Sequence, residues 1–195
     1  MQVVPLSDRE VSAEIIEACR AGDRDALRVL YDLYKDRVYS VSLYFFHGDE
    51  TIASDVTQQV FLKLITSIGQ FKGDAAFSTW LYRLVVNACQ DTVRRRKSAA
   101  LDPRTVPLEE VAVLPSAEEN YVRSQMARLV RDAISTLPPK FRIAVLLRYF
   151  DDLSYEQMAE ALHCSIGTVA SRLSRGHKML GERLKNLVGT KGGHV

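Results

Sequence analysis

The 195-residue chain is 47% apolar and 26% charged with a formal net charge of +2. That is an ordinary composition for one large or two small globular domains, and too balanced for bulk charge to argue for any partner. Its three cysteines, Cys19, Cys89 and Cys164, are far apart, odd in number and without a CxxC pair, which speaks against a disulfide framework or a zinc site and for a reducing, cytoplasmic setting.

The opening MQVVPLSDREVSAEII has no basic segment ahead of an apolar core, so no signal peptide is expected. No apolar run approaches the roughly 20 residues that span a bilayer. The first long helix is read from GDRDALRVLYDLYKDRVYSVSLYFF, where Ala26, Leu27, Leu30, Tyr31, Tyr34, Val38 and Val41 recur at three- and four-residue spacings. GDE breaks it. A second stripe, Ile52, Val56, Val60, Leu64 and Ile68, closes at Gly69. QFKGDAAF is a loop with a glycine turn. FSTWLYRLVVNACQDTVRRRK then runs from an aromatic front at Phe77, Trp80 and Tyr82 to four bases, Arg94 to Lys97. Leu81, Leu84, Val85 and Ala88 are assigned to the core of this third helix. No segment alternates in the manner of a strand.

From Ser98 the pattern stops. SAALDPRTVPLEEVAVLPSAEEN carries Pro103, Pro107 and Pro115 without a helical stripe and reads as an extended linker between two all-helical domains. Bases thus cluster at Arg94–Lys97 and Arg172–Lys185, with acids between them from Asp102 to Glu119, so local basic patches are expected on a nearly neutral protein. A further stripe, Met126, Leu129, Val130, Ala133, Ile134 and Leu137, ends at Pro138, and Pro139 can open the next helix, KFRIAVLLRYF.

The most legible segment is DDLSYEQMAEALHCSIGTVASRLSRGHKML. Ser154 followed by Gln157 is a capping box opening a helix. Met158, Ala159 and Leu162 give that helix an inner face, HCSIG makes a short turn, and a second helix starts near Ile166. This is helix-turn-helix geometry. His163 beside Cys164 reads as a turn residue and a small thiol rather than half a metal site; the other histidines, His47, His177 and His194, form no ligand cluster. At about 100° per residue, Ile166, Val169, Leu173, Gly176 and Leu180 share one arc of the second helix. Thr168, Ser171, Arg172, Arg175 and Lys178 share the opposite arc, presenting the hydroxyls and cations that reach base edges and phosphates in a major groove.

These fragments together resemble bacterial sigma factors, specifically the small two-domain extracytoplasmic-function group. The carriers are SDVTQQVFLKL, FSTWLYRLVVNACQDTVRR, AISTLPPKFRIAVLLRYFDDLSYEQMAEAL and GTVASRLSRGHKML, in that order across a proline-bearing linker, from about Ala18 to Leu187. The resemblance implies a region 2-like domain over 9–97, a linker over 98–118 and a region 4-like helix-turn-helix domain over 119–187. It implies core RNA polymerase and promoter DNA as partners, an anti-sigma protein that is often membrane-bound as a third, no cofactor, and no enzymatic activity; no GxSxG, P-loop or HExxH is present.

The family's roles carry over position by position. Asp55, Gln58, Gln59 and Phe61 match the surface that docks on the clamp helices of the polymerase's large subunit. The loop Phe71–Ala76 and the helix after it match the site that captures a flipped base of the −10 element. There Lys72, Asp74, Ala75, Phe77, Trp80, Asn87 and Asp91 are the expected contacts, with Trp80 reading equally well as a core residue of its helix, and Arg94 and Arg95, with Arg96 and Lys97, grip phosphate. Ser165, Thr168, Ser171, Arg172, Arg175 and Lys178 are expected on the −35 element. By the same resemblance the linker acids Asp102, Glu109 and Glu110 would enter the polymerase's RNA channel, the alternative for each being a passive tether. Three positions depart from the family pattern: Ala170 stands where a base is frequent, and Gly176-His177 replaces a frequent alanine–arginine pair, with Gly176 costing about 1 kcal/mol of helix propensity. The alternative is a helix-turn-helix repressor or activator acting without polymerase, which leaves SDVTQQVF and the Trp80 helix unexplained; a helical adaptor that binds only protein is a third.

Overall fold

The computed structural model describes residues 11–100 and 129–189. The proline-bearing stretch, with Asp102, Glu109 and Glu110, and also Met126 and His194, lies outside the described residues. Eight α-helices and no strand occur among the described residues. They are α1 (Ala13–Arg20), α2 (Arg24–Phe45), α3 (Glu50–Ser67), α4 (Phe77–Ala100), α5 (129–135 in its described part), α6 (Pro139–Phe150), α7 (Tyr155–Ala161) and α8 (Ile166–Gly189). A short 3₁₀ turn, Ile68–Gln70, follows α3.

Local chemistry sets the starts. Ser12, Asp23 and Asp49 accept from first-turn amides of α1, α2 and α3. Pro139 opens α6, where the missing N–H costs nothing. Ser154 and Gln157 make both bonds of the capping box at α7. The stops use left-handed residues. At the end of α2, His47 has φ +62°, and the Gly48 N–H donates to Leu43 O at 2.8 Å. At the end of α7, His163 has φ +48°, and the Cys164 N–H donates to Ala159 O at 3.0 Å. Both are Schellman closures with histidine where glycine is usual.

Helices α1–α4 enclose one core built on Leu30, Tyr34, Val38, Val41, Phe45, Val56, Val60, Leu64, Leu81, Tyr82 and Val85. Helices α5–α8 enclose a second around Leu137, Leu146, Leu147, Met158, Val169 and Leu173. The two bodies then pack together, α2 against α6 and α4 against α7. Consequently α6 is covered on two sides, by α8 and by α2, and every residue from Phe141 to Leu147 is buried, Arg142 included. The stripe expectations hold except at positions that lie beyond a partner helix. Ile166, assigned to the inner arc of α8, is 47% exposed because it sits on the first helical residue, where the side chain leans back past the packed turn. Tyr31 and Val130 are exposed as well.

Gly176 has a packing reason that helix propensity does not reveal. A Cβ there would lie 3.0 Å from Val145 Cγ2 and 3.7 Å from Phe141 Cβ, so the missing side chain is what lets α8 approach α6. Replacing Gly176 by Leu should destabilise the second body by about 2 kcal/mol through overpacking, read as a lower Tm in a calorimetric melt; an unchanged Tm would mean the close approach is dispensable. The thiols differ in access. Cys19 and Cys89 are buried and Cys164 is half-buried. Burial pushes Cys89 up to about 12 and, with Asp23 nearby, also raises Cys19.

Candidate nucleic-acid interface

The loop between the 3₁₀ turn and α4 is held at both ends by aromatic packing. Phe71 and Phe77 are buried, with ring centroids 5.4 Å apart, and Trp80 lies 5.6 Å from Phe71 and 5.7 Å from Phe77. Tyr34 supports Phe77 from α2 at 5.8 Å. The Arg20 guanidinium donates to the Phe71 carbonyl. Gly73, at φ +82°, makes the turn between them. A rigid aromatic floor therefore carries a short polar loop with Lys72, Gly73 and Asp74 exposed and Ala75 half-buried.

Beside this loop opens a cleft of about 630 Å³, lined by Lys72, Asp74, Ala75, Trp80 and Asn87 among others. Phe77, expected to contact DNA, is instead 6% exposed and sits below the cleft, so its part is to hold the loop and Trp80 in place. Trp80 is half-buried and reaches the cleft wall. Tyr82 points the other way and is fully buried. Several cleft residues escaped sequence reasoning, among them Lys63, Arg83 and Thr79 on the first body and Glu160 and His163 on the second. Lys63 comes from α3, Arg83 lies on the Trp80–Asn87 face of α4, and Thr79 is 2% exposed with a hydroxyl that has no hydrogen-bond partner. Arg83 was findable: at about 100° per residue Trp80, Arg83, Asn87, Asp91 and Arg94 share a face. Thr79 was not, because a small hydroxyl between aromatics leaves no pattern.

The bases at the end of α4 are exposed and already engaged by neighbours. Arg94 pairs with Asp91 at 3.2 Å, Arg96 with Asp49 at 4.0 Å, and Arg95 donates to Gln59 Oε1 at 2.8 Å. Surface pairs of this kind are worth little in water, about 0–1 kcal/mol, so an arriving phosphate can replace them. The Arg95–Gln59 bond joins the α4 bases to α3. On α3, Asp55 and Gln58 are exposed, Gln59 is half-buried, and Phe61 is buried edge-to-face on Tyr31 at 4.8 Å. Leu62 and Ile65, 64% and 50% exposed, extend the same side of α3 and make it an apolar surface with a polar border. Neither was part of the expected stripe, which covers only the buried side.

The second body presents α8. Ser165 caps it: the Thr168 N–H donates to Ser165 Oγ at 3.2 Å, and the two hydroxyls are 2.9 Å apart. Ser171 Oγ donates to Thr168 O at 2.9 Å. The inner residues Val169, Leu173 and Gly176 are buried. Arg175 and Lys178 are exposed and Arg172 is half-buried. No ion pair engages these three cations among the described residues. His177 is turned aside, 3.0 Å from the Tyr149 hydroxyl. A capped N-terminus with hydroxyls and uncompensated cations along one side suits insertion into a groove lined with phosphates. No helix among the described residues is long and apolar enough to cross a membrane, and no group of three or more His, Cys, Asp or Glu gathers as a metal site among them.

Two family models match the chain: Sigma-70 region 2 over residues 30–99 and Sigma-70, region 4 over residues 127–180. The ECF RNA polymerase sigma factor SigW of Bacillus subtilis is 32% identical over 182 residues, covering 88% of this chain and 96% of the relative. The ECF RNA polymerase sigma-E factor of Escherichia coli K12 is 30% identical over 192 residues, covering 94% and 99%. Among solved structures, the sigma factor RpoE from Bartonella quintana, determined with the anti-sigma factor NepR, superposes with a TM-score of 0.69 at 24% identity over 81% of this chain and 96% of that one. CnrH, determined with the cytosolic domain of CnrY, gives 0.66 at 20% identity over 89% and 96%.

Proposed function

We propose a division of labour for a chain that belongs to the extracytoplasmic-function group of the sigma-70 family. The chain directs promoter-specific initiation of transcription as a subunit of RNA polymerase and is not itself an enzyme. In our reading α1–α4 dock on core polymerase through Asp55, Gln58, Gln59 and the apolar Leu62 and Ile65. The cleft beside Trp80 takes an unstacked base of the −10 element, and Arg94 and Arg95 follow its backbone. The second body reads the −35 duplex with α8. The work is done in the cytoplasm, where polymerase and chromosome are, and an anti-sigma protein holds the factor silent until a stimulus releases it.

The observation that carries this reading is a cleft walled by Trp80 and polar side chains, formed mainly by the first body, together with a basic helix of the second body whose cations have no ion pair among the described residues. Unstacked bases bring flat apolar faces and hydrogen-bonding edges, which an indole wall and an unsatisfied hydroxyl suit. A duplex brings closely spaced phosphates, which suit Arg172, Arg175 and Lys178. No nucleotide hydrolysis by this chain is required, since trapped bases and polymerase contacts hold the strands apart. A repressor acting without polymerase leaves the α3 surface and the cleft idle.

The test is reconstitution. Purified chain and core RNA polymerase should start run-off transcription at a subset of genomic promoters that core alone ignores; silence across a genomic promoter library would defeat the reading. Exchanging residues Lys72–Ala76 for another loop should shift the preferred −10 sequence in the same assay while leaving affinity for core polymerase unchanged. Equal loss of core binding would place that loop on the polymerase instead.

A further inference from the structure

The loop between the 3₁₀ turn and α4 is tied down only at its ends. At the far end the Trp80 N–H donates to Ala76 O at 3.2 Å, which starts α4. At the near end the Phe71 N–H donates to Ile68 O at 3.1 Å, and the Phe71 ring lies against Phe77 and Trp80. Between them Lys72, Gly73, Asp74 and Ala75 take part in no hydrogen bond or ion pair among the described residues. Gly73, at φ +82°, makes the turn and brings no side chain to fix it. The course of the loop therefore follows from how its first peptide group is set.

One side chain sets that peptide from outside. Arg20 is the last residue of α1, and its guanidinium is shared between two acceptors. Nη2 donates to Phe71 O, and Nη1 pairs with Glu17 one turn earlier. Phe71 is 51 residues away in sequence, so the contact is tertiary. The peptide group is planar and trans, so a donor fixed on Phe71 O also fixes where the Lys72 N–H points, and with it the departure of the loop. Arg20 is itself firmly placed. Ile16 and Cys19 bury the inner side of α1, α1 packs on α2 and on the 3₁₀ turn, and Gly22 at φ +83° joins α1 tightly to α2. A charged donor makes one of the stronger hydrogen bonds, and a planar fork gives up less freedom in making it than an ammonium does. In EACRAGD the same residue looks like an ordinary solvated base.

We propose that Arg20 is a positioning residue for −10 recognition: by bracing the Phe71 carbonyl from α1 it holds the Lys72–Ala75 loop and Trp80 in the arrangement that reads an unstacked base. The inference rests on the reading of the cleft as the −10 site. Arg20 does not touch DNA in this scheme and acts through the loop alone. Without the brace the loop samples other courses, and only a fraction of molecules present the reading arrangement. A matched base uses the loop contacts and is weakened by that fraction, whereas a mismatched base forfeits those contacts in any case. Loss of the brace therefore lowers discrimination between −10 sequences, a different outcome from a uniform loss of binding.

Full-length protein tests this in two measurements. Trp80 is the only tryptophan of the chain and rests on Phe71, so its emission reports on the braced cluster. In the free chain Arg20→Met should make Trp80 more open to acrylamide quenching, and Arg20→Lys, which keeps a cation of similar reach, should fall between Arg20→Met and wild type. With core polymerase added, the preference of Arg20→Met for a responsive promoter over the same promoter with its −10 bases exchanged should drop roughly tenfold. Arg20→Lys should recover part of that preference, and affinity for core polymerase should stay at the wild-type value in both. Glu17 is exposed, so Glu17→Gln leaves the fold intact while freeing the other side of the guanidinium; it should shift both readouts in the same direction by a smaller factor, and it decides the matter if Arg20→Met melts early. Wild-type quenching or wild-type −10 preference in the deciding variant would overturn the proposal. So would a loss of core affinity as large as the loss of preference, which would make Arg20 a general support of the fold. Failure of the sigma reading shows separately, as polymerase that stays silent with the wild-type chain, and the quenching series then still decides whether Arg20 braces the loop.

Discussion

Run-off transcription from a responsive promoter should fall by about a hundredfold or more when Arg172 and Arg175 are both replaced by Glu, with affinity for core polymerase unchanged. The two cations lie on the outer side of α8 and have no acidic partner among the described residues, so each is available to a phosphate or a base edge. A contact of this type is worth about 1–3 kcal/mol, and reversal adds repulsion to the loss. Two lost contacts at about 1.4 kcal/mol per decade give the stated size. The buried side of the helix is untouched, since Val169, Leu173 and Gly176 carry the packing, and the variant should melt like wild type. Ser171→Ala should matter far less, because its hydroxyl is spent on Thr168 O. Salt gives an internal control: each phosphate contact removed flattens the log–log salt dependence by roughly 0.9. Equal activity of the double variant at the same promoter would place −35 recognition elsewhere.

The packing of the second body on the first (closed) against the same bodies parted (open) should vary with pH through Asp151, by up to about a hundredfold. Burial raises this carboxyl from 3.8 to about 6 in the closed form, against the opposing pull of Tyr82 and Arg37. In the open chain it meets water and returns to the ordinary carboxylate range. The closed form thus holds its proton more tightly. Its extra stability is complete below the ordinary carboxylate value and is lost as pH rises through about 6. Two pH units correspond to about 3 kcal/mol as an upper figure. The groups facing Asp151 are Arg37 from α2 and Tyr82 from α4, with Tyr34 behind the latter. His47, beside Arg142, lies at the same seam. Asp151→Asn removes only the carboxylate's share. Scattering at pH 7 and pH 5 should show wild type contracting on acidification, and the asparagine variant should lack that component and be the more compact of the two at pH 7. Identical pH responses in both chains would rule out Asp151 as its source.

Legibility in the sequence followed the number of partners a helix has. Where one face is buried, spacing was sufficient: Val56, Val60 and Leu64 on α3, and Val169 and Leu173 on α8, are where their periodicity puts them. Short-range chemistry was equally readable, since the Ser154–Gln157 box and Pro139 at the start of α6 depend on residues only a few positions apart. Helix α6 was harder. It lies between α8 and α2, so its apolar residues run all round, and Arg142 within KFRIAVLLRYF looks like a solvated charge until the carbonyl ends of two other helices are seen converging on it. The aromatic front of α4 was read as a group, whereas the fold divides it: Phe77 and Tyr82 go inside and only Trp80 reaches the cleft. That division depends on α2, through Tyr34 and Arg37, and no local pattern in α4 encodes it.

The unequal access of the three thiols has a practical outcome. With Cys19 and Cys89 sealed in the core and their thiolates disfavoured, a maleimide reagent added to the folded chain has one half-open target, Cys164, in the turn that precedes α8 and next to His163 on the cleft wall. A fluorophore can therefore be placed in the turn of the helix-turn-helix, beside the cleft wall, without altering a single residue, and its emission would report in real time whether that corner of the molecule is enclosed or bathed in solvent.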